Sequence, residues 1–246
     1  MSPSAARTLA DYDTESLAAR YAQDGVATVG PLLTHEEVAE VRFHVSRYNR
    51  YVIPNLPQAV RDKTVRYEDD GVSLRSCYFM DQVDEYFNEL GNRPFFKQLV
   101  AAIVGYEPEL YVVETFNKYA RVGSSVAPHQ DCVFLPVEPM DVVHLWIALT
   151  DATEENGAVK YWTGSHLGGL LPHVPAPFGL KVRDDMVDHD AENTVRAVLP
   201  AGSAAIHSGL VVHDSPPNRT DQPRLGMLLG YRGAHTRHLL DQDWGS

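Results

Sequence analysis

From residue 110 onward the sequence breaks into short runs rich in β-branched and aromatic residues, and no other feature limits the fold so strongly. Residues 110–116, 142–149, 194–199, 204–207 and 225–231 each read as a strand. Turn chemistry separates them, in Glu155-Asn156-Gly157, Thr163-Gly164-Ser165 and Pro216-Pro217-Asn218. Ahead of the strands the pattern is helical. Residues 15–23 place Leu17, Ala18 and Tyr21 at helical spacing and stop near Gly25. Thr34 followed by Glu37 is a capping box, opening a helix with Val38, Val41 and Val45 on one face. Asn92 and Pro94 read as the cap and first turn of a further helix that stops at Gly105. Helices first and many short strands afterwards predict helices packed on a β-sandwich or barrel. Residues 51–70 and 171–193, rich in Pro or Asp, resist assignment and read as lids or binding loops.

A chain of 246 residues without an internal repeat or a Pro/Gly/Ser linker suits one domain over residues 1–246. Its helical part is expected over about residues 1–105 and its strand core over about 106–235. The 33 acidic residues outnumber the 21 basic ones, for a net charge of −12. Such a field repels phosphate backbones and anionic lipid, so neither nucleic acid nor a membrane surface is an expected partner. Residues 1–10 carry no apolar signal segment, and the longest apolar runs are too short to span a bilayer. Two cysteines, Cys77 and Cys132, are too few for a disulfide framework, which fits a reducing cytoplasm.

The chemistry concentrates in Pro128-His129-Gln130-Asp131. In extended backbone, positions i and i+2 point the same way, so the His129 imidazole and the Asp131 carboxylate can meet one metal ion. A third ligand from a distant strand completes a facial triad of two histidines and one carboxylate, the signature of non-haem Fe(II) oxygenases. Among eleven histidines, His213 stands at the end of an apolar run, just ahead of Pro216-Pro217. Arg224 follows on the next strand, where its guanidinium can grip a carboxylate in two-pronged fashion. Taken singly, a His-x-Asp triplet or a strand histidine is more often structural; the combination points to a site.

These residues sit in a longer series: Pro128-His129-Gln130-Asp131, His144-Leu145-Trp146-Ile147-Ala148-Leu149-Thr150-Asp151-Ala152, Glu155-Asn156-Gly157-Ala158, Thr163-Gly164-Ser165-His166, His213-Asp214-Ser215, Pro217-Asn218-Arg219-Thr220 and Pro223-Arg224. In order and spacing the series resembles the phytanoyl-CoA dioxygenase family, which includes ectoine hydroxylase and bacterial biosynthetic hydroxylases. Thr163-Gly164-Ser165-His166 departs from the family's usual Pro-Gly-Ser-His. The resemblance implies a mainly β chain with flanking α-helices, its core a double-stranded β-helix of the cupin-like jelly-roll type. It implies His129, Asp131 and His213 as the catalytic Fe(II) ligands. It also implies Arg224 as the clamp on the C5 carboxylate of 2-oxoglutarate, Ser215 as an assisting hydroxyl and Trp146 as an aromatic beside the cosubstrate. Arg75 and Asn117 are further expected cosubstrate contacts by analogy. His144 shares a strand face with Trp146, so it is expected to point inward as a cosubstrate contact or a hydrogen-bonded core residue.

The implied activity is an Fe(II)- and 2-oxoglutarate-dependent dioxygenase that uses O2 to hydroxylate an unactivated C–H bond of a small molecule in a biosynthetic pathway, releasing succinate and CO2. Asp131 favours hydroxylation over halogenation, because related halogenases carry a small residue there. Two other readings stand beside it: a cupin-type metalloenzyme that does not use 2-oxoglutarate, and a non-catalytic small-molecule binding protein on the same scaffold. Arg224 with Ser215 is the feature neither alternative needs. The substrate pocket is expected to draw on Tyr51, Tyr67, Phe178, Lys181 and Arg183 from the two unassigned segments; substrate identity and oligomeric state are not readable.

Overall fold

The computed structural model describes residues 7–189 and 191–239. Six α-helices appear among them: α1 (Thr14–Asp24), α2 (His35–Arg47), α3 (Gln58–Thr64), α4 (Met80–Val83), α5 (Glu85–Gly91) and α6 (Pro94–Val104). The strands are β1 (Val26–Val29), β2 (Val65–Tyr67), β3 (Leu74–Cys77), β4 (Pro108–Lys118), β5 (Val126–His129), β6 (Val137–Glu138), β7 (Val142–Ala148) and β8 (Lys160–Trp162). They continue as β9 (His173–Pro175), β10 (Leu180–Val182), β11 (Thr194–Arg196), β12 (Ala204–Ser208), β13 (His213–Ser215), β14 (Arg224–Gly233) and β15 (Arg237–His238).

Local chemistry sets the helix ends. In α1, Asp13 accepts a bond from the Ser16 amide at 3.0 Å, and Gly25 ends the helix at φ +77°. The capping box of α2 forms as its sequence predicts: the Glu37 amide donates to Thr34 Oγ1 at 3.2 Å, and the Thr34 amide donates to Glu37 Oε2 at 2.9 Å. For α6 the expected cap is corrected. Asn92 terminates α5, and Arg93 occupies the N-cap position ahead of Pro94. The short α5 ends so close to α6 that one Asn cannot serve both.

Seven antiparallel strands make the larger sheet, in the order β1-β12-β7-β14-β4-β3-β2, and four make the smaller one, β11-β8-β13-β5. The two face each other as the halves of a jelly-roll. Along β7 the alternation separates two cores: Val143, Leu145 and Ile147 face the helices, while Trp146 and Ala148 face the second sheet. Val38, Val41, Leu99 and Phe96 pack against the first set. Strand register then orders the inner face into rows: Lys118 with Arg224; Phe116 with Gly226 and Ala148; Glu114 with Leu228, Trp146 and Ala205; Val112 with Gly230, His144 and His207. Basic groups stand at one end of this face and imidazoles at the other.

The two segments without a sequence assignment carry structure. Residues 51–70 contain α3 and β2, and 171–193 contain the hairpin β9–β10, which lies beside β5. Both cysteines are buried and unpaired, and among the described residues no helix is long and apolar enough to cross a membrane.

Leu145 lies on the helix-facing side of the central strand with no exposed surface. Leu145→Ala is expected to lower the unfolding free energy by about 2–5 kcal/mol, measured by urea denaturation.

Candidate active site

Strand pairing brings the three predicted ligands together. His129 ends β5, and His213 opens β13 directly opposite it in register. Gln130 between His129 and Asp131 is extended, at φ −120° and ψ 130°, so the two flanking side chains fall on one side. Asp131 Oδ1 lies 3.4 Å from His129 Nε2 and 3.7 Å from His213 Nε2. Each of these imidazoles turns its other nitrogen to a backbone carbonyl, His129 Nδ1 to Ala127 at 2.9 Å and His213 Nδ1 to Val211 at 3.1 Å. Both Nε2 atoms are thereby left to face a shared point, where with Asp131 they could hold a metal ion. Burial pushes the His213 imidazolium down to about 3, so this ring is neutral and ready to ligate.

The second oxygen of Asp131 is held from behind. His144 Nδ1 donates to Oδ2 at 2.7 Å, and His207 Nε2 does so at 3.3 Å. The outer nitrogen of His144 pairs with the Tyr111 hydroxyl, and His207 Nδ1 accepts from the Tyr161 hydroxyl at 3.2 Å. The tyrosines thus fix which nitrogen of each ring reaches the carboxylate. Asp131, His144 and His207 could be taken for a second metal cluster. The 2.7 Å contact, however, is a direct hydrogen bond with no room for an ion between its atoms. Burial alone would raise the Asp131 carboxyl, but His213, His144 and the bonds from His129 and His144 outweigh it and hold the group well below the usual carboxylate range.

Gln130 pins the turn that carries these ligands. Its side-chain amide donates to the Gly169 and Leu210 carbonyls at 2.9 and 2.6 Å and accepts from the Leu171 amide at 2.7 Å, while its own backbone amide donates to His173.

The triad opens on a cavity of about 100 Å³ with Arg224 among its walls. Arg224 is 2% exposed, and its Nη2 donates to the Gly157 carbonyl at 2.9 Å and to Ser215 Oγ at 3.1 Å; Ser215 Oγ donates to the same carbonyl at 2.9 Å. Its Nε is buried without a partner, and among the described residues no carboxylate pairs with it. The Trp146 ring lies 5.1 Å from the guanidinium. Gly226 makes room for that ring, since a Cβ there would fall 2.1 Å from it.

The other expected residues divide. Asn117 lines the cavity and its Nδ2 is buried without a partner. Arg75 also lines it, but its guanidinium is engaged by Glu68 at 3.2 Å, by Ser124 and Ser125, and by the Phe178 ring 3.8 Å away. His144 sits behind Asp131 and is absent from the cavity wall, so of its two expected roles the hydrogen-bonded one is what the geometry supplies. Of the five loop residues, Phe178 lies over the cavity residue Arg75, whereas Tyr67 lines a separate surface depression with Arg61 and Arg66. Lys181 and Arg183 are taken up by Asp184 and Asp185, and Tyr51 is exposed. His207, Tyr161, Glu114 and Lys118 line the cavity unforeseen. Alternation along β4 was the available signal for the last two, which share the inward face with Phe116. Burial, followed by Asp131 and Asp81, pushes the Glu114 carboxyl well above its usual range.

A family model described as phytanoyl-CoA dioxygenase (PhyH) matches residues 21–226. A phytanoyl-CoA dioxygenase domain-containing protein 1 from Bos taurus is 30% identical over 73% of this chain, and one from Danio rerio is 36% identical over 44% of it. The chain spans 66% and 39% of those relatives, less than two thirds of either. Among solved structures, the non-heme monooxygenase ThoJ superposes with a TM-score of 0.77 at 28% identity, covering 92% of this chain and 81% of its own. The epimerase SnoN in complex with Fe3+, alpha ketoglutarate and nogalamycin RO gives a TM-score of 0.71 at 25% identity, covering 92% and 85%.

Replacing the groups behind Asp131 tests their part in holding it. His207→Ala and His144→Leu are each expected to weaken Fe(II) binding about 10–100-fold, measured by anaerobic titration, with the fold retained by circular dichroism.

Proposed function

Because the chain belongs to the phytanoyl-CoA dioxygenase (PhyH) family, we propose that it is an Fe(II)- and 2-oxoglutarate-dependent dioxygenase that hydroxylates a C–H bond of a small molecule, with release of succinate and CO2. One observation carries this reading: the two-histidine, one-carboxylate cluster and a buried arginine without a carboxylate partner line the same cavity. Residues 7–239 are read as parts of one catalytic domain.

The donor set fits the metal. Two imidazole nitrogens and one carboxylate oxygen suit Fe(II) and leave coordination positions for other ligands. His129, Asp131 and His213 would hold it. The orphaned donors fit the cosubstrate, since Arg224 Nε and Asn117 Nδ2 need acceptors that the described residues do not supply. Arg224 with Ser215 would take the distal carboxylate. When bound, iron with 2-oxoglutarate and O2 supplies the oxidising chemistry, converting the cosubstrate to succinate and CO2 and delivering one oxygen atom to the substrate.

The chain's own contribution is placement and shielding. His144 and His207 keep Asp131 Oδ2 occupied, so that Oδ1 alone faces His129 and His213. The Gly157 carbonyl holds Ser215 and Arg224 in one orientation; a side chain at Gly157, φ +94°, would strike the Lys118 stem and the Pro216 carbonyl. Phe116, Val126, Val159 and Leu228 add apolar surface between the polar groups of the wall, which helps to keep water from the reacting centre. Phe178 over Arg75, and Phe134 against Gly179, form the roof. Burial favours the uncharged form of Glu114, which lessens the negative charge that a dicarboxylate meets at the wall.

The test is anaerobic titration of the apoprotein with Fe(II) and 2-oxoglutarate, followed through the weak visible charge-transfer band. The band should require both components, vanish in His213→Ala, and need at least about tenfold more 2-oxoglutarate in Arg224→Ala, a loss expected for a buried charge-assisted bond. Iron binding without any band would point to a metalloenzyme of the same fold that does not use 2-oxoglutarate.

A further inference from the structure

Glu114 stands on the inner face of β4, between Val112 and Phe116 and opposite Leu228 of β14, with Trp146 on the strand beyond. It lines the cavity, and among the described residues its carboxyl has neither a hydrogen bond nor an ion pair. The charged groups that act on it, Asp131 and Asp81, are both acidic. Each is already engaged, Asp131 by His144 and Asp81 by the Val113 amide at 2.7 Å. Lys118 and Arg224 lie two rows further along the face.

A carboxyl among apolar side chains costs free energy unless a ligand satisfies it. Burial, with Asp131 and Asp81 near, favours its protonated form while the cavity is empty. The dicarboxylate cosubstrate is the wrong partner, since its negative charge belongs with the basic groups at the other end of the face. An alcohol would offer a hydrogen bond and no counter-charge. A cationic nitrogen supplies both. It draws the carboxyl into its charged form, whose proton leaves to solvent, and it meets the Phe116 and Trp146 rings in the same wall. The exterior, at −12 overall, gathers cations around the chain.

We propose that Glu114 is the substrate-recognition group of this cavity, and that the substrate is a small molecule with a cationic nitrogen (a guanidinium, ammonium or imidazolium) that pairs with its carboxylate while another part of the molecule faces the metal point. This rests on the dioxygenase reading of the same site. It makes Glu114 a specificity determinant that orients the substrate and leaves the cosubstrate to other groups.

Paramagnetic line broadening tests this on the full chain, loaded with equimolar Mn(II), which takes the same donors, and with 2-oxoglutarate. Proton signals of methylguanidinium and of its uncharged isostere N-methylurea are compared, with Mg(II) as the diamagnetic reference, so that only molecules held near the metal respond. Methylguanidinium should be broadened and should bind at least about tenfold more tightly than N-methylurea. In Glu114→Gln, which keeps the shape and loses the charge, the two probes should behave alike while the 2-oxoglutarate signal stays broadened. Equal broadening of both probes by the unaltered protein, or none of either, overturns the proposal without recourse to a variant. A preference that survives in Glu114→Gln also overturns it, as does a variant that loses 2-oxoglutarate instead of the cation. Failure of the 2-oxoglutarate signal to broaden in the unaltered protein would instead overturn the dioxygenase reading beneath it.

Discussion

The register of β4, β14, β7 and β12 is the constraint on which the site depends. Side chains alternate across a strand, so a slip of one residue would turn Lys118, Arg224, Trp146, His144 and His207 from the inner face to the helix side. It would also carry Leu145, Ile147 and Met227 out of the helix-packed core. The apolar packing on one face therefore locks the chemistry on the other. The helices α2 and α6 touch no ligand, yet their valines, leucines and phenylalanines choose the register that aims the polar residues inward.

The sequence carried the parts of the site that are local or that lie on strong periodic elements. His129 and Asp131 stand two residues apart on extended backbone, and Arg224 opens a long strand. The large-sheet strands β4, β7, β12 and β14 and the helices α1, α2 and α6 were legible for the same reason. Strands β5, β8 and β13, of three or four residues, are too short for periodicity, and their pairing is between segments far apart in sequence. His207 escaped because a histidine in an apolar run has no local mark of function. What singles it out is sitting opposite His144 on the next strand, within reach of Asp131. Asn92 misled because capping residues are ambiguous where one helix ends as another begins.

Net charge says little about the pocket. The chain carries −12 overall, yet Lys118, Arg75 and Arg224 line one cavity, and among the described residues only Arg75 of the three has a carboxylate partner. Long-range charge governs what approaches the surface, whereas short-range placement governs what is held inside. An acidic exterior around a basic interior is no contradiction when the basic groups are buried and few.

Gln130 has a consequence beyond holding a turn. Its amide reaches Gly169 and Leu171, and its backbone reaches His173, at the base of the β9–β10 hairpin that bears the roof residue Phe178. The neighbours on either side of Gln130 in sequence are His129 and Asp131. The cover and the floor of the cavity are therefore tied by a single crosspiece. Lifting the hairpin at its root means either surrendering several buried bonds or dragging the turn along with it. A displacement of the hairpin would thus be felt at the turn that carries His129 and Asp131, through a side chain that is absent from the cavity wall.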